Sequence, residues 1–221
     1  MIVTRRPVSS NNFREGRRGW DVDAVVIHVT EGSRGSVRNW FANPIAEVSA
    51  HYMVCTDGSV DQFVDEADTA YHAGRVLHPA SELVRARPGV NPNYYTIGIE
   101  HEGTGKSELT AQQRAASAEL IRGIQIRHPK VTTDRHHIFG HREVYAAKTC
   151  PGVISVDTLL REIRGEVKRP VVVWSNTVND WLVVTKVVSD TQWEYAPLSA
   201  VRRGVTYGAT TPLSRMPLVR P

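Results

Sequence analysis

Ala24-Val25-Val26-Ile27-His28-Val29 is a run in which only position 28 is polar. An apolar run this short, closed by Glu31-Gly32-Ser33, suits a central β-strand buried on both faces, with one histidine carried into the interior. Downstream, Ser36 is placed to cap a short helix in which Val37, Trp40 and Phe41 share a face and Asn43-Pro44 forces a stop. Residues 52–56 and 59–64 flank Asp57-Gly58, a pair suited to a tight type I′ hairpin turn. The strand at residues 95–100 alternates, so Glu100 points away from the face of Ile97 and Ile99. Thr110-Ala111-Gln112-Gln113 has the form of a capping box, followed by Ala116, Leu120 and Ile124 at helical spacing until His128-Pro129 breaks it. A last helix starts near Ser155, with Val156, Leu159, Leu160 and Ile163 on one face. Strands interleaved with helices predict an α/β fold, a mixed central sheet flanked by helices.

The chain of 221 residues, 41% of them hydrophobic, is long enough for one well-cored α/β domain plus a small appendage. Three segments are expected: a basic N-terminal arm at residues 1–20, the α/β domain at 21–165, and a small β-rich C-terminal module at 166–221. Residues 166–221 carry seven Lys or Arg against four Asp or Glu, so this segment supplies +3 of the formal net charge of +4. Such a balance favours anionic polymers, while no nucleic-acid-binding motif accompanies it and no nucleic acid is expected. No stretch of about 18 apolar residues occurs, so no transmembrane segment is expected, and the first residues lack the apolar core of a secretory signal. Cys55 lies in an apolar strand-like run and reads as a buried thiol; Cys150 precedes Pro151-Gly152 in a loop. Two cysteines in such different settings argue against a disulfide framework.

The densest chemical signal is Gly140-His141-Arg142-Glu143-Val144-Tyr145-Ala146-Ala147-Lys148-Thr149-Cys150-Pro151-Gly152. A histidine and a cysteine nine positions apart can face one point if the loop folds back, and zinc accepts imidazole and thiolate together. His28 is the natural third ligand. His136 and His137 compete for the same role, and a lone strand histidine is more often a hydrogen-bonded core residue.

Seven motifs in order carry a resemblance: Val-Ile-His-Val, Val-Ser-Ala-His-Tyr, Asp-Gly-Ser-Val, Ala-Tyr-His-Ala-Gly, Thr-Ile-Gly-Ile-Glu, Gly-His-Arg-Glu-Val and Lys-Thr-Cys-Pro-Gly. Across residues 20–165 the chain resembles the type 2 zinc amidases, a family that includes phage endolysins, bacterial muropeptide amidases and animal peptidoglycan recognition proteins. The resemblance implies one zinc ion held by His28, His141 and Cys150, with Glu100 as the catalytic carboxylate and Lys148 stabilising the oxyanion. Some phage relatives place a tyrosine just before the histidine equivalent to His51; Ala50 stands there in this chain, which leaves Glu100 as the base. The candidate substrate-binding set is His72, in Tyr-His-Ala-Gly beside the groove, with His51, Arg75 and Asn93. His72 can equally be a core histidine with a satisfied hydrogen bond, His51 reads better as packing beneath the site than as binding substrate, and His78, His101 and His128 read as surface residues.

The implied activity is hydrolysis of the amide between N-acetylmuramic acid and L-alanine of peptidoglycan. The expected setting is a phage or prophage endolysin, a bacteriolytic enzyme that accumulates in the cytoplasm and meets the wall at host lysis. A muropeptide-recycling amidase and a non-catalytic peptidoglycan-binding protein are the alternatives. Trp174, Trp181 and Trp193, with the basic side chains of the C-terminal module, could hold wall polymers or form a small core.

Overall fold

The computed structural model describes residues 3–166 in full and, beyond them, the backbone of four strands. The chain divides into two compact units, Met1–Val167 and Lys168–Pro221.

The first unit is built on β3, Ala24–Ile27, whose four residues are all buried. Strand β7, Thr96–His101, runs parallel to it on one side and β8, Ile138–Gly140, parallel on the other. Beyond β7 lies β4, Tyr52–Val54, also parallel, then β5, Val60–Gln62, antiparallel to β4, and at the edge β1, Val3–Arg5, parallel to β5. The six-stranded sheet is therefore mixed, in the order β1-β5-β4-β7-β3-β8.

Period-two alternation along β3 assigns its two faces. Val25 and Ile27 pack with Ile97 and Ile99 against α3, Ala111–Arg127, and α4, Val156–Ile163. Ala24 and Val26 join Tyr95, Phe139 and the short helix α2, Glu82–Arg85, on the other face. Each fully buried Val or Ile contributes roughly 1.5–3 kcal/mol by leaving water, so this sequence has little freedom to place the strand elsewhere. On a strand buried in this way, position 28 falls in phase with Ala24 and Val26, on the face away from α3.

The predicted elements form with local corrections. Thr110 and Gln113 cap α3 reciprocally and Ser155 caps α4. Helix α1, Arg34–Ala42, starts three residues before the expected place, because Ser33 rather than Ser36 occupies the N-cap and accepts from the Ser36 N–H. The hairpin turn is not type I′. Gly58 alone takes a positive φ, and its N–H donates to the Cys55 carbonyl (2.9 Å) while Cys55 N–H pairs with the Ser59 carbonyl (2.8 Å). This is a one-residue-longer loop with glycine in the left-handed position, and Asp57 serves it by accepting from Ser59 N–H at 2.9 Å.

Residues 3–20 are not an arm laid outside the core. β1 extends the main sheet, β2, Phe13–Arg14, pairs with β6, Thr69–Ala70, and the Arg17 side chain is buried with bonds to four backbone carbonyls. Local polarity concealed this because the segment's arginines find partners distant in sequence.

In the second unit, β9, Val172–Ser175, β10, Asp180–Ser189, β11, Gln192–Pro197, and β12, Thr210–Pro212, form an antiparallel sheet in the order β12-β11-β10-β9. The side chains of Trp174, Trp181 and Trp193 lie outside the described residues.

Candidate metal centre

β3, β7 and β8 run parallel and end at the same edge, and the site is assembled at their carboxyl ends, the usual place for a ligand in an open α/β sheet. His28 follows β3 directly, Glu100 is the fifth residue of β7, and His141 follows β8. Cys150 arrives from the loop after the short turn at His141–Glu143. The donor atoms of His28, His141 and Cys150 lie within 4.8 Å of one another, and this is the candidate metal cluster among the described residues. His136 and His137 are elsewhere: His137 Nδ1 is bonded to Asp134 and His136 lies near Glu82.

Hydrogen bonds fix which nitrogen each histidine presents. Thr96 Oγ1 donates to the Pro92 carbonyl at 2.8 Å, so its oxygen accepts from His72 Nε2 at 3.2 Å. His72 Nδ1 is then an acceptor, and His28 Nε2–H donates to it at 3.1 Å. That leaves a lone pair on His28 Nδ1, which faces Cys150 Sγ at 3.8 Å. His141 Nε2 is 3.1 Å from the Ala73 carbonyl, which can only accept, so Nδ1 is again the free donor. Burial, reinforced by the neighbouring His141 and His72 rings, pushes the His28 pKa well below that of an ordinary histidine. Burial likewise lowers that of His141. Both rings are neutral at pH 7, the state a metal requires.

Cys150 is set differently. The Val29 N–H points at its sulfur from 3.3 Å, but burial, followed by the proximity of Glu100, pushes the thiol up to about 12. Glycines allow the loop to close. A Cβ on Gly140 would meet Pro151 at 2.7 Å, and one on Gly152, already at a φ of +69°, would meet the Gly105 carbonyl oxygen at 2.2 Å.

Glu100 Oε2 is buried with no hydrogen-bond partner, and burial, together with Glu31, raises the carboxyl pKa to about 8. A buried oxygen left unpaired costs about 1–3 kcal/mol, which marks it as a group kept for a ligand or a proton. Glu100 and exposed Lys148 both line a cleft of about 720 Å³ that also contains the three donors, with Trp40, Val48 and Tyr71 among its other walls.

Two of the four expected substrate contacts are buried away from the cleft. His72 lines the cleft, with both ring nitrogens engaged by His28 and Thr96. His51 is fully buried, its Nδ1 accepting from Gly98 N–H at 3.0 Å. Asn93 is buried too, its Oδ1 accepting from the N–H groups of His72 and Ala73. Arg75 is exposed but does not line the cleft.

Two supporting residues escaped the sequence reading. His101 is fully buried, with Nδ1 3.0 Å from the His28 carbonyl and Nε2 2.6 Å from Ser117 Oγ, so it pins the end of β3. Alternation already placed it on the face of Ile97 and Ile99; the usual surface placement of histidine masked that signal. Thr96 gave no signal at all, because its role depends on a residue 24 positions away.

The family model described as N-acetylmuramoyl-L-alanine amidase matches residues 18–153, well over half of the chain. The chain belongs to this family. N-acetylmuramoyl-L-alanine amidase A from Achromobacter lyticus is 37% identical over 121 residues, which cover 53% of this chain and 58% of that protein. The chain therefore spans little more than half the length of this relative. The 1,6-anhydro-N-acetylmuramyl-L-alanine amidase AmpD of Haemophilus influenzae is 34% identical over 162 residues, covering 65% of this chain and 83% of AmpD. A crystal structure of a selenomethionine AmpD derivative superposes with a TM-score of 0.59 at 22% identity, covering 76% of this chain and 97% of that one, and so shares the fold. Within this amidase family chain, the described His28, His141 and Cys150 form a cluster that fits a metal site, and no described helix is long and apolar enough to cross a membrane.

Proposed function

We propose that this chain is a zinc-dependent amidase that hydrolyses the bond between N-acetylmuramic acid and L-alanine, acting on wall peptidoglycan as an endolysin does. The observation that carries the reading is the meeting of two pre-set imidazole donors and one thiol in a cleft that also holds an unpaired buried carboxylate. Two nitrogens and one sulfur are a ligand set suited to zinc at a catalytic site that keeps an open position. Bound there, zinc would supply a Lewis acid and acidify water at neutral pH.

The chain's own groups do the rest. Glu100 receives a proton at Oε2 and returns one to the departing alanine nitrogen; its raised pKa suits both halves of that exchange. Lys148 Nζ offers positive charge to the oxygen of the scissile carbonyl as it becomes anionic. His72 and Thr96 hold the His28 ring in its donor tautomer, and His101 holds its backbone.

In this reading the enzyme accumulates inside the host until lysis, and residues 166–221, with their excess of +3, help to hold it on the wall. A chain ending at Arg164 then binds the wall less tightly while hydrolysing soluble muropeptide at an unchanged rate. The likeness to AmpD over 83% of that protein's length favours a second reading, in which the substrate is a soluble anhydro-muropeptide.

Mass spectrometry of digested sacculi and of soluble muropeptides, with chelator and after zinc is restored, tests both. Stem peptides freed from intact sacculi support the endolysin reading; release from soluble muropeptides alone supports recycling. Activity indifferent to chelation, or products cut at another bond, would overturn the amidase proposal itself.

A further inference from the structure

A second cleft, of about 600 Å³, lies outside the metal centre and shares no lining residue with it. Its walls include Arg14, Arg18, Trp20, Asn91 and Tyr94. The N-terminal segment brings five arginines to the first unit, and the structure divides them into two groups. Arg5 is paired with Asp65, Arg6 with Asp61 at 2.7 Å, and Arg17 is buried against the carbonyls of Glu66, Asn93, Tyr94 and Thr96. These three are consumed in holding the segment to the sheet.

Arg14 and Arg18 are exposed, with no acidic partner among the described residues. Arg18 instead stands over the Tyr94 ring, its guanidinium carbon 5.6 Å from the ring centroid. The turn that presents it is closed by Trp20 N–H to the Arg17 carbonyl at 3.0 Å, with Arg18 at a φ of +50° and Gly19 at +81°. A left-handed conformation costs a non-glycine residue about 1–2 kcal/mol, and Asn or Gly would fill the position at less cost. Arg17, one residue earlier, is buried, while Arg18 lines the cleft.

Two unpaired guanidinium groups beside two aromatic rings, one of them Trp20 with 36% of its surface exposed, form a matched set. The Arg87 guanidinium lies over the Trp20 ring at 5.4 Å and Tyr95 packs beside it at 5.7 Å, which holds that ring at the cleft; the cations suit an anionic group and the aromatic surface left exposed suits the apolar face of a sugar. We infer that the Arg14, Arg18, Trp20 and Tyr94 cleft is a second binding site, for a saccharide polymer bearing phosphate or carboxylate groups. It would anchor the first unit to an anionic glycan without occupying the metal cleft, and it is independent of the β-rich unit's basic residues.

Binding of the full chain to two purified, peptide-free polymers, a glycerol-phosphate glycopolymer and a uronic acid polysaccharide, tests this across a salt series. The wild type is expected to bind at least one, and the polymer preferred identifies the anion. Arg14→Gln/Arg18→Gln should weaken binding at least tenfold at low salt and flatten the log affinity against log salt slope by about one per arginine. Arg14→Lys/Arg18→Lys should restore most of that slope, and Trp20→Ala should weaken binding with the slope retained. Hydrolysis of a soluble muropeptide should be the same in all of them. Failure of the wild type to bind either polymer, or affinity and slope unchanged in the Gln pair, would overturn the inference.

Discussion

His28 and Cys150 face one another at 3.8 Å, yet they reach that point from opposite kinds of structure. His28 stands at the end of a strand buried on both faces. Its ring is held through His72, Thr96 and the Pro92 carbonyl, and its own carbonyl is held by His101. Cys150 stands on a loop whose preceding residues, 146–149, are exposed, and its sulfur has one N–H donor. The strand supplies a donor that is neutral and oriented before any metal arrives. The loop supplies one that must still lose its proton, since the thiol is pushed up to about 12. A metal site can thus be rigid on one side and ionised only on binding on the other.

The largest effect is expected from the loop side. Cys150→Ser removes a thiolate and should lower zinc affinity by more than the 10–100-fold that loss of a supporting residue costs, as read by chelator competition. The same titration should show zinc uptake by the wild type strengthening by about tenfold per pH unit between pH 6 and 8, because one thiol proton is released. In Cys150→Ser that dependence should largely vanish; an equal slope in both would break the contrast between the two donors.

Glu100 comes next. Glu100→Gln should reduce the rate of amide hydrolysis by about 10²–10⁴ with zinc still bound. It also carries a signed stability effect in the metal-free protein. A carboxyl with a folded pKa of about 8 and an ordinary value of 4.5 binds more protons folded than unfolded between those pH values, so stability falls as pH rises through that window. Denaturant unfolding should therefore find Glu100→Gln more stable than wild type at pH 8, by on the order of 1–3 kcal/mol, and equal near pH 4. Wild-type stability that is flat from pH 4.5 to 8 would remove the basis for this claim.

On the strand side, Gly98→Ala sharpens the comparison without touching a ligand. Its Cβ would lie 2.4 Å from the His72 ring, so the ring must move and His28 loses its partner. A loss of about 1–3 kcal/mol in unfolding free energy is expected, as for other overpacked cores, together with weaker zinc binding. The smallest effect belongs to Thr96→Val, which removes the hydroxyl that accepts from His72 but keeps the shape. Zinc affinity should fall about tenfold, with about 1 kcal/mol of stability lost. No change in affinity would mean that His28 needs no help in choosing its tautomer.

The parts of the site legible in the sequence are those where a ligand's chemistry and its place in a strand coincide. His28 was visible because a lone polar residue interrupts an apolar run; alternation gave the face of Glu100, and only the resemblance to the amidase family gave it a catalytic role. His141, Lys148 and Cys150 stood in one dense motif. The supporting residues were not legible. Asn93 looks like a substrate contact in sequence order, while in the fold it is buried and bonded to backbone; His72 does line the cleft, but its bonds to His28 and Thr96, which orient a ligand, left no local signal. The N-terminal segment misled for a related reason: its arginines look like a solvated face until Asp61, Asp65 and a row of carbonyls are brought to them.

By itself the sequence determined the α/β order of elements and the central strand, which follow from local periodicity, while the choice of His28, His141 and Cys150 over His136 and His137 came from the family resemblance of seven ordered motifs. Only the tertiary structure decided which nitrogen each histidine offers, which of five N-terminal arginines stay free, and which polar residues face the cleft. Those outcomes are set by hydrogen bonds and burial between segments tens of residues apart, where no local pattern reaches.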